Sequence, residues 1–248
     1  MLGKYKAVFF DLDGTLRIVT PASSNAIMVW GREQNLFDLT DAEIKKFKLD
    51  LHYYWGSPTF QVDKDMERLG RKAFWPFYYE LLMRMVGVEE ELVKESAVSY
   101  SRWLRRDCDT TISLVDNGLE TLHTLKKMGY KLGLLSNREE TLHHLVTDLG
   151  MDNIFDVVKS AGEYGVWKPH PQIYENFIAE FDGELTAADC LYVGDNYFAD
   201  GEGAANAGLT PILYDPEALY TDKSLTRISQ MSDLLPTIER LAILTGNS

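Results

Sequence analysis

The stretch that decides the fold is Ala7-Val8-Phe9-Phe10-Asp11-Leu12-Asp13-Gly14-Thr15-Leu16. Four apolar residues rich in Val and Phe predict a fully buried strand, and two carboxylates fall where that strand ends and a glycine lets the backbone turn. Acids one residue apart repel each other. Such a pair is stabilised by a bound cation or by sharing a proton, and both are raw material for catalysis. A solvated turn with an Asp capping the next helix is the competing reading.

Three further stretches end in chemistry. Lys131-Leu132-Gly133-Leu134-Leu135-Ser136-Asn137 is an apolar strand closing on a hydroxyl. Trp167-Lys168-Pro169-His170-Pro171 puts a lysine just ahead of a helical pattern, and Leu191-Tyr192-Val193-Gly194-Asp195, followed by Asp200, is a third strand ending in acid. Taken singly, Ser136 reads as a helix cap, Lys168 as a solvated loop lysine and Asp200 as the cap of the helix through Ala204. Their order behind the first acidic pair lifts them. The set resembles the four signature motifs of the haloacid dehalogenase-like hydrolase superfamily, and the resemblance covers the chain apart from roughly residues 17–114.

The pattern along the chain divides it in two. Helical patterns run through 22–34, 41–51, 64–82 and 89–105 with no convincing strand among them, and Ser23, Ser24 and Asn25 are candidate caps for the first. From Leu114 onward, helices expected over 117–128, 139–149, 171–181 and 200–207 alternate with strands over 131–135, 155–159, 190–193 and 211–214. Such alternation implies an α/β fold with a doubly wound parallel sheet. The expected division is a Rossmann-like catalytic core from residues 1–16 and 115–248, with an inserted α-helical cap domain over 17–114. In an open parallel sheet, ligands bind beyond the carboxyl ends of the strands. Asp11, Ser136 and Asp195 each follow a strand, so one sheet edge gathers them.

What the resemblance implies about mechanism agrees with what each group can do. Asp11 is the expected nucleophile, forming an aspartyl phosphate, and Asp13 the acid that protonates the leaving oxygen and then the base that activates water. Magnesium is the expected cofactor, held by Asp11, the backbone carbonyl of Asp13 and Asp195, with Asp200 and Thr15 supporting the site from behind. Lys168 supplies a point charge to the phosphoryl oxygens and to Asp11. Ser136 and Asn137 are expected to bind phosphate, with Asn137 and Arg138 read equally well as the start of a helix. Asn196 is ambiguous, and His143 and His144 read as ordinary helix residues.

Bulk properties bound the function. The chain has 248 residues, 45% of them hydrophobic, a formal charge of −13 and two cysteines. It is long enough to bury a sizeable core. The charge argues against nucleic-acid or anionic-membrane partners, while a small phosphorylated metabolite stays compatible because a local cation reverses the field within one pocket. Cys108 and Cys190 are too few for a disulfide framework, no stretch has the roughly 18 apolar residues of a membrane span, and the lead-in Met1-Leu2-Gly3-Lys4-Tyr5-Lys6 is too short for a signal peptide. The expected location is the cytoplasm; oligomeric state is left open.

The insert is dense in aromatics, most of them at helical spacing and therefore expected to pack. Residues 52–60 are the exception, since Gly56 and Pro58 predict a loop that presents Tyr53, Tyr54, Trp55 and Phe60 for specificity. A phosphatase is the expected activity. A phosphomutase shares all four motifs; a dehalogenase of the superfamily lacks the second aspartate, and a non-catalytic binding module would have lost a motif residue.

Overall fold

The computed structural model describes residues 4–246, without the side chains of residues 245 and 246. Met1-Leu2-Gly3 of the lead-in, and Asn247 and Ser248, lie outside the described residues. The chain begins with β1 (Ala7–Phe10), turns at Gly14 and continues as β2 (Arg17–Thr20) into five helices, α1 (Ser23–Glu33), α2 (Asp41–Gly56), α3 (Gln61–Leu69), α4 (Arg71–Met85) and α5 (Glu90–Arg106). β3 (Thr111–Leu114) pairs with β2 in a two-stranded ribbon. Alternation follows: α6 (Gly118–Lys127), β4 (Lys131–Ser136), α7 (His143–Asp148), β5 (Val157–Ser160), α8 (Ala161–Tyr164), α9 (Pro171–Ala179) and β6 (Cys190–Gly194). A π-helical segment over Tyr197–Gly203 leads into α10 (Ala204–Asn206), β7 (Thr210–Tyr214), β8 (Thr226–Ile228) and α11 (Leu234–Gly246).

Six strands form one parallel sheet in the order β5-β4-β1-β6-β7-β8. The pleat sends successive side chains to opposite faces, and β1 shows why its run is unbroken by polar residues. Val8 and Phe10 enter one core with Leu122 and Leu125 of α6, Val146 of α7 and Leu234 and Ile238 of α11. Ala7 and Phe9 enter the other with Ile173, Tyr174 and Phe177 of α9. Phe9 meets the edge of Phe177 at 4.9 Å, a contact worth about 1 kcal/mol beyond its buried area. Helices on both faces make the sheet doubly wound.

The chain separates into two compact units, residues 1–18 with 113–248, and residues 19–112. The second has its own core, built on Trp30, Phe47, Tyr54, Phe74, Tyr78 and Tyr100. A capping box starts its α2, with Thr40 Oγ1 accepting from the Glu43 N–H and Glu43 Oε2 accepting from the Thr40 N–H.

Several boundaries differ from expectation. The expected loop over 52–60 is helical as far as Gly56, leaving only 57–60 between helices; Trp55 Nε1 donates to Tyr78 Oη at 3.0 Å, and its rings pack with Tyr54, Phe74, Trp75 and Tyr78. Interior packing outweighs the local helix-breaking tendency of Gly56, and Trp55 is a packing residue of this unit. The single helix expected over 64–82 is two, parted at Gly70, whose φ of 70° lies in the left-handed region. α1 is capped at Ala22, with no side-chain cap from Ser23, Ser24 or Asn25. The helix expected from Glu139 starts only at His143, where the Arg138 carbonyl accepts instead from Gly162 N–H. β2 and β3 went unforeseen because β3 is mostly exposed and neither carries a buried face to imprint an apolar run.

Candidate active site

The three central strands β4, β1 and β6 lie side by side in matched register, Phe10 opposite both Leu134 and Val193. Their carboxyl ends therefore lie within two residues of one another, at the switch where the chain crosses from one side of β1 to the other. Asp11 follows directly, its backbone N–H donating to the Val193 carbonyl at 2.9 Å, so the acid sits on sheet rather than loop. Asp195 follows β6 and Ser136, buried, is the last residue of β4.

Lys168 enters from the segment ahead of α9. Its Nζ donates to Asp11 Oδ1 at 2.7 Å, Asp200 Oδ1 at 2.6 Å and Tyr192 Oη at 3.0 Å, and its side chain is 2% exposed. Three donors meet three acceptors. Burial works against the ammonium, yet Asp11 and Asp200 outweigh it and hold the lysine well above its ordinary pKa. One lysine cannot neutralise every acid around it. Burial pushes Asp11 up to about 7, against Lys168 and with the help of Asp200 and Asp13. Asp195 is driven well above the usual carboxylate range by burial, then by Asp11 and Asp200.

Asp11, Asp195 and Asp200 offer carboxylate oxygens that all lie within 4.8 Å of one another. Hard oxygen donors this close, with one buried lysine between them, leave a shortage of positive charge that a divalent cation such as Mg2+ fits. Asp200, expected behind the site, belongs to this cluster; its Oδ2 also accepts from Asn196 N–H at 3.0 Å. Thr15 Oγ1 reaches Asp195 Oδ1 at 3.4 Å. Two glycines make room. A Cβ on Gly194 would collide with the Asp200 carboxyl and one on Gly14, whose φ is 86°, with that of Asp195. Asn196 caps the π-helical segment, accepting from the N–H groups of Phe198 and Ala199, which turns Asp200 back toward β6.

Asp13 is turned to a different set of partners. Arg17 Nη1 donates to its Oδ1 at 2.7 Å, while Arg138 donates through Nε to Oδ2 at 2.5 Å and through Nη2 to Oδ1 at 3.0 Å. Arg138 is thereby settled as a partner of Asp13. Arg17 was missed, because an arginine after a motif glycine gives no signal until the turn returns it four residues back. Asn137, expected at the phosphate or at the start of a helix, holds the Lys168 backbone: its Oδ1 accepts from Lys168 N–H at 2.7 Å and its Nδ2 donates to the Lys168 carbonyl at 2.9 Å. Both ends of the amide hold Lys168. Tyr192, which no motif announced, donates to the Leu135 carbonyl at 2.9 Å and so fixes the lysine's third partner.

Comparison with known proteins agrees with this fold. Pyrophosphatase PpaX of Bacillus anthracis is 27% identical over 242 residues, 95% of this chain and 97% of that protein. The glyceraldehyde 3-phosphate phosphatase of Pyrococcus furiosus is 24% identical over 250 residues, covering 96% and 94%. Among solved structures, the magnesium-bound HAD-hydrolase YfnB from Bacillus subtilis superposes with a TM-score of 0.61 at 18% identity over 95% of this chain and 99% of its own. The L-2-haloacid dehalogenase RSc1362 does so at 0.58 and 21%, over 95% and 99%. At such identities the structures share the fold alone. The family model of haloacid dehalogenase-like hydrolases, however, matches residues 5–208, from the lead into β1 to the glycine just past α10, and the chain is therefore a member of that hydrolase family.

Proposed function

We propose that the chain is a Mg2+-dependent phosphatase that hydrolyses a small phosphorylated metabolite through an aspartyl phosphate on Asp11, with Asp13 as general acid and base. The observation that carries the reading is the separation of the two acids. Asp11 points to Lys168 and the carboxylate cluster, where a bound divalent ion would keep it ionised for attack, while Asp13 is turned away from that cluster, so neighbours two apart in sequence are placed for different roles. A dehalogenating site needs no second acid, because a halide leaves without a proton. Phosphatase and pyrophosphatase activities in the curated relatives support phosphoryl chemistry here too.

In this reading Asp11 attacks phosphorus while Lys168 steadies the phosphoryl oxygens and keeps the nucleophile in one rotamer. Asp13 gives a proton to the leaving oxygen, then takes one from the water that opens the acyl phosphate. Ser136, at the end of β4, donates a hydrogen bond to the transferred group. Asp11, Asp195 and Asp200 would hold the metal together with the Asp13 carbonyl, and the ion would supply charge compensation for an anion attacking an anion. The magnesium bound to YfnB supports the choice of ion. The unit over 19–112 is the candidate cap domain, and the protein works in the cytoplasm. Among the described residues, no helix is long and apolar enough to cross a membrane.

The test is hydrolysis of an aryl phosphate in Mg2+. Turnover should vanish with a chelator and return with added Mg2+, and metal-independent turnover would overturn the proposed site.

A further inference from the structure

The charges in the core divide into two groups of opposite balance. Around Lys168, three acids face one cation, which leaves two negative charges for a divalent ion to meet. Around Asp13, one acid faces two guanidiniums, which leaves a positive charge. Glu140 and Asp11 also act on Arg138, but less than Asp13 does. Arg138 alone, gripping both oxygens of Asp13, would satisfy that carboxylate. Arg17 is therefore in excess, and its Nε is buried without a hydrogen-bond partner. A buried donor left unmade costs about 1–3 kcal/mol, so its presence calls for a reason.

We propose that Arg17 and Arg138 are the receptor for a second negative charge on the substrate, a carboxylate or phosphoryl group carried by the leaving group. The preferred substrates are then phosphorylated small molecules whose leaving group is itself anionic. The inference rests on the phosphatase reading, because that reading puts Asp13 beside the leaving oxygen. Groups that touch Asp13 at 2.5–3.0 Å flank the leaving group, not the transferred phosphoryl group. A guanidinium presents a rigid fork of donors that matches the paired oxygens of carboxylate and phosphoryl groups. Arg17 is 12% and Arg138 32% exposed, so the pair is shielded enough for its charge to count and open enough for a ligand to reach it.

The experiment compares phospholactate and pyrophosphate with isopropyl phosphate and an aryl phosphate, in Mg2+, for the wild type, Arg17→Gln, Arg138→Gln and Arg138→Lys. Phospholactate, pyrophosphate or both should exceed isopropyl phosphate by about 10- to 100-fold in kcat/KM, mostly through KM, as hydrogen bonds to a charged group predict. The stronger of the two tells carboxylate from phosphoryl. Either Gln variant should bring the ratio toward one, and Arg138→Lys should keep part of it. Equal kcat/KM in the wild type, or a ratio that survives in folded Gln variants, overturns the inference while leaving the phosphatase reading intact. Absence of aryl phosphate turnover counts against the phosphatase reading alone. Binding then decides: phosphonoacetate should bind the Mg2+-loaded wild type at least 10-fold more tightly than ethylphosphonate and lose that advantage in Arg17→Gln, and equal affinities overturn the receptor.

Discussion

Asn137 clasps the backbone of Lys168 from both sides, accepting from its N–H at 2.7 Å and donating to its carbonyl at 2.9 Å. Since Lys168 carries the charge that Asp11 and Asp200 share, Asn137 is a positioning residue for the proposed nucleophile. Asn137→Ala leaves two polar backbone groups unpaired and should cost about 1–3 kcal/mol of stability, with kcat falling about 10- to 100-fold and KM changing less. Asn137→Asp keeps the acceptor and loses the donor, so it should fall between. Calorimetric unfolding together with kcat and KM checks this; an unaltered kcat in a folded Asn137→Ala would show that Lys168 is held by other means.

Asp11 and Asp13 should separate cleanly by substitution. Asp11→Asn removes the proposed nucleophile and should lower turnover by about 10⁴-fold or more, with no acid-labile phosphoenzyme. Asp13→Asn should still be phosphorylated by an aryl phosphate, whose leaving group needs little protonation, but should release phosphate slowly for want of a base. Trapping labelled protein after rapid acid quench distinguishes the two. Near-normal turnover in Asp11→Asn would remove it from the proposed role.

Gly194 is required by the closeness of Asp200. A methyl group there would collide with the carboxyl that Lys168 and the Asn196 N–H both grip. Gly194→Ala should therefore displace Asp200, cost about 1–3 kcal/mol from overpacking and raise the Mg2+ concentration needed for half-maximal activity. Thermal unfolding and a metal titration measure both. A metal requirement equal to that of the wild type would place Asp200 outside the ion's surroundings.

Trp55 tests the helical unit by itself. Trp55→Phe keeps the ring contacts but leaves Tyr78 Oη without its donor, so it should cost about 1 kcal/mol and lower the thermal midpoint by about 2–4 °C. Relative kcat/KM among phosphorylated substrates should not change. A shift in selectivity without loss of stability would return Trp55 to substrate recognition.

The sequence by itself determined the elements whose reasons are local. An apolar run ending in Asp11 and Asp13, and two more ending in Ser136 and Asp195, announced parallel strands and a shared edge, because strand periodicity and sheet topology are written in side-chain polarity. The family matched by residues 5–208 was legible from those three stretches together with Lys168 in Trp167-Lys168-Pro169-His170-Pro171. The tertiary structure decided what depends on partners distant in sequence. It turned Asn137 toward Lys168, 31 residues on, and Arg138 toward Asp13, 125 residues back, neither of which any local pattern specifies. It carried α2 through Trp55, since the energy of burying rings among Phe74 and Tyr78 exceeds the cost of extending a helix to a terminal glycine. It drew Asp200 into the carboxylate cluster, because a π-helical turn capped by Asn196 sets the direction of that side chain more strongly than the helix its sequence suggests. Residue types fixed which chemistry could occur; only the packing of separate elements fixed which charges face one another, since electrostatic energy depends on distance in space and burial, and neither is a property of the chain as a string.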